Sequence, residues 1–243
     1  MIQFYSPDIK EKSVLSPEES GHCVRVLRKK QGDKITVTDG KGNRYLCEIL
    51  EASPRQVELQ ILEEENVPKT WDYDIILAVA PTKNADRMAW LVEKSTEVGV
   101  DRILFLNCKH SERKQVNVDR LRRNAISAMN QSLKTRLPEI SETTTLKEMI
   151  THFDKGINGK EIKRYFGYCD ANTERLEFVN AYEGNSNLII AIGPEGDFSS
   201  EEVKQLTEAG YRAVTFGNER LRTETAALYG LTATHVISEI KRR

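Results

Sequence analysis

The chain lacks the residue patterns that would let it hold a metal or a triphosphate. Its cysteines, Cys23, Cys47, Cys108 and Cys169, form no CxxC pair. Its histidines, His22, His110, His152 and His235, form no HxxxH pair. That spacing argues against a zinc site and makes free thiols of a cytoplasmic protein the expectation. Neither GxxxxGK[ST] nor GxGxxG occurs, so no phosphate loop or dinucleotide fingerprint is present. The longest wholly apolar run, "IILAVA", is far too short to span a bilayer. The opening "MIQFYSPDIKEK" lacks the apolar core of a signal peptide. Neither sign of charge dominates: 36 basic against 37 acidic residues leave a net charge of -1. Composition therefore does not announce a partner, and the local distribution of charge has to be read instead.

What is present divides into two parts. The 243 residues suffice for one large domain or two small ones. In the first 65 or so, Ser16-Pro17 with Glu19 predicts a helix start. The helix would continue through "HCVRVLRKK", where Arg25, Arg28, Lys29 and Lys30 flank apolar Val24 and Leu27. Strand-like "KITVTDG", "RYLCEILEA" and "QVELQIL" follow, with "DGKGN" as a hairpin loop. One helix and several short strands suggest a small β-barrel over residues 1–68, and "EEENVPKT" reads as a linker. From residue 71 to 243 strands alternate with helices. The strands are "YDIILAVA", "RILFLNC", "RYFGYC", "NLIIAIG" and "YRAVTFG". Amphipathic stretches such as "NADRMAWLVEKSTEVG" separate them, and the alternation predicts an α/β domain with a mainly parallel sheet.

Two late strands leave through similar corners. One exits by Gly193-Pro194-Glu195-Gly196, a good turn, and passes Asp197 into a helix start with Ser199 as cap and Glu202 completing a capping box. The other exits through "FGNERLRTETAAL". Corners at the carboxyl edge of a parallel sheet are where ligands bind, and two of them can wall one pocket. The carboxylates would repel a triphosphate but suit a neutral or cationic ligand, a sulfonium or a sugar among them. Arg220 and Arg222 fall at a helix start, where a cation is disfavoured. Either they pair with Glu219 or Glu224 on the surface, or they contact a ligand. The segment "NCKHSERKQVNVDRLRRNAISAMNQSLKTRLPEI" is rich in Arg and Lys. Its cations, Arg113 and Arg136 among them, either follow a phosphate backbone or line a solvated helix face.

The segments "HCVRVLR", "EKSTEVGV", "SERK", "QSLKTRLPEI", "IGPEGDFSSEE" and "LRTETAAL", in this order, carry a resemblance. The chain resembles, from about residue 2 to residue 240, the RsmE family, 16S ribosomal RNA (uridine-N3) methyltransferases of the SPOUT superfamily. The resemblance implies an N-terminal PUA-like RNA-binding barrel and a C-terminal SPOUT domain tied in a trefoil knot. It also implies a homodimer that uses S-adenosylmethionine. The cofactor-binding residues it implies are Tyr168, Gly193, Pro194, Glu195, Gly196, Phe216, Gly217, Leu221, Arg222 and Thr225. For catalysis we expect Arg222, with Arg113 as helper and Glu224 as base or orienter. For RNA we expect Arg25, Arg28, Lys29, Lys30, Arg113 and Arg136. The partner would be 16S ribosomal RNA in the small subunit, with no metal and no membrane. Two departures stand out: Asp197 occupies a position that is usually glycine, and Glu219 one that is usually arginine. Two other functions stay open: a SPOUT enzyme acting on tRNA ribose, and a non-catalytic RNA-binding assembly factor.

Overall fold

A computed structural model of the chain describes residues 2–170 and 174–242. It divides into two compact units, Met1–Thr70 with Ala125–Leu137, and Trp71–Asn124 with Pro138–Arg243. The division expected near residue 70 is therefore crossed a second time. The second half of a helix and the turn after it, within 125–137, belong with the first unit.

The first unit holds β1 (Gln3–Tyr5), α1 (Ile9–Lys12), α2 (Pro17–Gly21), β2 (Lys34–Thr38), β3 (Asn43–Ala52) and β4 (Val57–Asn66). The sheet order is β1-β2-β3-β4, with β1 parallel to β2 and the other pairs antiparallel. Alternation explains the inward face. Tyr45, Cys47 and Ile49 of β3 are buried beside Ile35 and Val37 of β2. The β2–β3 turn is built by Asp39, whose carboxylate accepts from the Lys41 and Asn43 amides at 2.7 and 3.1 Å. Ser16 caps α2 by accepting from the Glu19 amide at 3.2 Å. The helix does not run on through "HCVRVLRKK" as its composition suggests. It widens into a π turn, His22–Val26, which keeps Cys23 buried, and then stops as Arg28 adopts φ 54°.

The second unit contains β5 (Ile75–Val79), α3 (Ala85–Val98), β6 (Arg102–Asn107), the first half of α4 (Val118–Gln131), β7 (Glu139–Thr145), α5 (Leu146–Phe153), β8 (Lys163–Gly167), β9 (Leu176–Glu177), α6 (Phe178–Ala181), β10 (Leu188–Ile192), α7 (Ser200–Glu208), β11 (Arg212–Thr215) and α8 (Thr223–Lys241). Its sheet order is β7-β6-β5-β10-β8-β11-β9, with every pair parallel. The central strands β5 and β10 are buried along their whole length, which is why they read as continuous apolar runs. Asn84 caps α3 and Gly99 ends it at φ 118°. Chain order breaks at the middle of the sheet, because β10 lies between β5 and β8. The carboxyl ends of β8, β10 and β11 thereby become neighbours, the position at which parallel sheets open a crevice. No helix among the described residues is long and apolar enough to cross a membrane.

Candidate active site

The exits of β8, β10 and β11 enclose a cavity of about 320 Å³. The β8 exit contributes Gly167, Tyr168 and Cys169. The β10 exit contributes Ile192, Gly193, Pro194, Glu195 and Asp197. The β11 exit and the first turn of α8 contribute Val214 to Phe216, Glu219 to Thr223, and Ala226. The size falls in the range of small-molecule sites, roughly 300–1,000 Å³.

The corner after β10 is fixed by its own chemistry. The Asp197 amide donates to the Pro194 carbonyl at 2.9 Å, so the hydrogen-bonded turn is Pro194–Asp197, one residue later than Gly193–Gly196. Asp197 takes φ 63°, which explains why glycine suits this position: only glycine, asparagine and aspartate enter that region at little cost. Ser199 and Glu202 form the expected capping box of α7. Thr223 Oγ1 donates to the Gly193 carbonyl at 3.2 Å and fastens the start of α8 to the same corner. Glycine also makes room inside the wall. A Cβ on Gly167 or on Gly230 of α8 would lie 3.0 or 2.9 Å from the Phe216 ring. The ring fills the gap between them.

A further loop docks from the side. After β6, the Lys109 amide donates to Glu202 Oε1 at 2.8 Å, and the Cys108 amide to Ser111 Oγ at 3.0 Å. His110 Nδ1 lies 3.2 and 3.0 Å from the Gly196 and Asp197 carbonyls, so it is the protonated ring nitrogen. Arg113 donates through Nε and Nη2 to the Lys83 carbonyl at 3.3 and 2.9 Å. The Lys83 amide in turn donates to Glu195 Oε1 at 3.3 Å. Glu195 thus holds the loop that holds Arg113.

Of the residues expected at the cofactor, Tyr168, Gly193, Pro194, Glu195, Phe216, Leu221 and Arg222 line the cavity; Gly196, Gly217 and Thr225 lie outside its lining. Gly196 packs against His110 instead. Arg222 is exposed and sits at the N-cap of α8, where its side chain makes no cap. Among the described residues neither Arg220 nor Arg222 has an ion-pair or hydrogen-bonding partner for its side chain, so the pairing with Glu219 or Glu224 is not formed. Glu224 is buried, 3.6 Å from Arg87 Nε, and its Oε2 has no hydrogen-bond partner. Arg113 and Glu224 are not among the lining residues.

In the first unit Arg25, Arg28 and Lys30 are exposed and Lys29 half-buried, and none is ion-paired among the described residues. Arg136 donates to the carbonyls of Lys41 at 2.9 Å and Val67 at 3.4 Å, across the face of Gly42. Its guanidinium is engaged in holding the hairpin. The lining also holds Gly167, Cys169, Val214 and Thr215, which no motif singles out in the sequence. Burial pushes the Cys169 thiol above its ordinary range, helped by the Asp197 charge and opposed by Arg220 and Arg175. The Tyr168 phenol is raised by burial and then by Asp197. Among the described residues no group of three or more His, Cys, Asp or Glu is placed to hold a metal ion.

Known proteins share this architecture. The family model described as RNA methyltransferase domain matches residues 69–235, and that of the RNA methyltransferase PUA domain matches residues 15–62. A ribosomal RNA small subunit methyltransferase E of Bacillus subtilis is 27% identical over 240 residues, covering 94% of this chain and 91% of the relative. The solved structure of a probable rRNA-methyltransferase from Porphyromonas gingivalis is 36% identical, with a TM-score of 0.90 and 99% of each chain covered. A ribosomal RNA small subunit methyltransferase E from Neisseria gonorrhoeae, solved bound to S-adenosyl methionine, is 26% identical, with a TM-score of 0.82 and 98% of each chain covered.

Proposed function

The chain belongs to the RNA methyltransferase family, and from that premise we propose that it methylates N3 of a uridine in 16S ribosomal RNA of the small subunit, with S-adenosylmethionine as donor. The observation that carries this reading is the cavity where three strand exits meet, with the unpaired Arg222 at its rim. The residues present fit the donor. Ile192, Phe216 and Leu221 offer apolar surface for an adenine ring. Gly193 leaves room for the Phe198 ring, which would lie 3.1 Å from a Cβ there, behind the pocket wall. Glu195 places negative charge in the lining, where a sulfonium would be favoured.

When bound, the donor supplies an electrophilic methyl group. The protein has to hold the uracil N3 in line with it, after the target base is unstacked. As N3 gives up its proton to solvent water, negative charge spreads to the neighbouring carbonyl oxygens. Arg222 and the positive end of α8 stabilise that charge. Arg113, clamped on the Lys83 carbonyl, positions the RNA beside the corner. Glu224 acts by position: it packs against Arg87 under the first turn of α8 and does not itself take the proton.

The first unit is assigned to the RNA backbone through Arg25, Arg28, Lys29 and Lys30. It closes as a PUA-like barrel in this reading. The second unit is assigned the SPOUT trefoil knot, a reading supported by the insertion of β10 between β5 and β8. A homodimer would form on α8, where Tyr229, Val236 and Ile240 are 45%, 50% and 65% exposed at helical spacing. The enzyme would work in the cytoplasm on 16S RNA of the small subunit.

The test is methyl transfer from labelled S-adenosylmethionine to small subunits lacking the modification, with tRNA in parallel and nucleoside analysis of the product. Label recovered as 3-methyluridine in 16S RNA is expected. Label in tRNA ribose would move the reading to the other substrate. Folded protein that fails to bind the donor would replace it with a non-catalytic RNA-binding role.

A further inference from the structure

Asp197 stands where the resembling family usually has glycine, and the structure shows what the side chain adds. The backbone takes φ 63°, which glycine and aspartate both tolerate. The carboxylate does what glycine cannot. Oδ2 accepts from the Cys169 amide at 3.0 Å, and Oδ1 from the Phe198 amide at 2.9 Å. The residue's own amide and carbonyl are also engaged, with Pro194 and His110. Cys169 lies just beyond the end of β8, and it and Asp197 both line the cavity.

We propose that Asp197 is a positioning residue of the donor pocket: its carboxylate latches the Tyr168–Cys169 wall onto the β10 corner. This rests on the methyltransferase reading of the cavity. The latch fixes one wall before the donor arrives, so less ordering remains to be done on binding. It acts through the cofactor loops and not on the reacting atoms. Its loss should therefore weaken donor binding and leave the methyl-transfer step little changed.

The protein carries a reporter for this. Cys169 is exposed and Cys23, Cys47 and Cys108 are buried, so a thiol reagent reads the latched loop. The experiment follows the labelling rate of donor-free protein against pH for wild type, Asp197→Asn and Asp197→Gly. Calorimetric titration with S-adenosylmethionine accompanies it. The plateau rate at high pH reads access to the thiol; the midpoint reads the charge beside it, which Asp197, Arg220 and Arg175 set together. Glycine accepts φ 63° without strain, so Asp197→Gly keeps the fold.

Asp197→Gly should raise the plateau rate several-fold, weaken donor binding about tenfold, as removal of a charge-assisted hydrogen bond does, and raise KM while sparing kcat. Asp197→Asn keeps an acceptor. It should lower the midpoint, as the glycine variant also does, while retaining the wild-type plateau and most of the donor affinity. A wild-type plateau rate or unchanged donor affinity in Asp197→Gly overturns the proposal. Wild-type protein that takes up no donor, while labelling still responds to Asp197→Gly, overturns the reading of the cavity and leaves the latch standing.

Discussion

Gly230→Ala sets two effects of known size against each other. Gly230 is interior to α8, where alanine is favoured over glycine by about 0.8–1 kcal/mol. Helix propensity alone predicts a more stable protein. The structure predicts the opposite. The added Cβ would sit 2.9 and 3.0 Å from two carbons of the Phe216 ring, and 3.3 Å from Ile190 Cδ1. The ring has little room to retreat. On its other side it faces Gly167, and Phe178 and Tyr229 pack 5.5 and 6.1 Å from its centroid. Overpacking a filled site costs about 1–3 kcal/mol, so the steric term wins by about 1 kcal/mol. For a chain of this length that is a fall in Tm of about 2–4 °C. Phe216 also lines the cavity, so displacing it should weaken S-adenosylmethionine binding in the same variant. Differential scanning calorimetry with and without the donor measures both quantities. A Tm raised by a few degrees together with unchanged donor affinity would refute the account of Phe216 as a wedged wall of the pocket.

Other outcomes follow from the same geometry. Arg222→Ala should cut kcat by about 10²–10³-fold, the range for removing one stabiliser of developing charge. Its melting curve should barely move, since the side chain is exposed and unpaired; full turnover from folded variant would end the assignment. Burial pushes the Glu19 carboxyl up to about 7 against an ordinary 4.5, opposed by hydrogen bonds from the Tyr5 backbone and Asn130. Over that window the folded chain binds more protons than the unfolded one, so this group's contribution falls as pH rises from 4.5 to 7. Glu19→Gln should therefore melt higher than wild type at about pH 8 and much like it at about pH 4.5, and an identical difference at both values would refute the linkage. Replacing Arg25, Arg28, Lys29 and Lys30 by alanine should weaken RNA binding and flatten its salt dependence. The log–log slope should fall by about 0.7 for each single-strand phosphate that is no longer neutralised. Unchanged RNA affinity in a filter-binding titration would remove the first unit from the binding surface.

Elements with a strong local signal could be read from the chain alone. Asn84 and Gly99 bracket α3, and Ser199 with Glu202 starts α7, because caps are chemistry between residues a few positions apart. The apolar runs of β5 and β10 mark strands buried on both faces. Where the local signal is weak, the sequence misleads or stays silent. Strand β7, "EISETTT", has one large apolar residue, and an edge position beside β6 alone makes it a strand. Past Val26, a helical composition gives way to Arg28 in the left-handed region.

By itself, then, the sequence determined the alternation of elements, the glycine-proline corner and the arginines before α8, since these depend on side-chain type and short spacing. Tertiary structure decided which of them meet. It placed β10 between β5 and β8, and so brought the β8, β10 and β11 exits to one cavity. It left Arg222 unpaired while giving Glu224 to Arg87, and it engaged Arg136 with the carbonyls of a hairpin. It turned Asp197 from an odd residue in a glycine position into the acceptor for Cys169. None of these follows from periodicity. A hydrogen bond between distant segments exists only once the sheet has set the strand order that makes them neighbours.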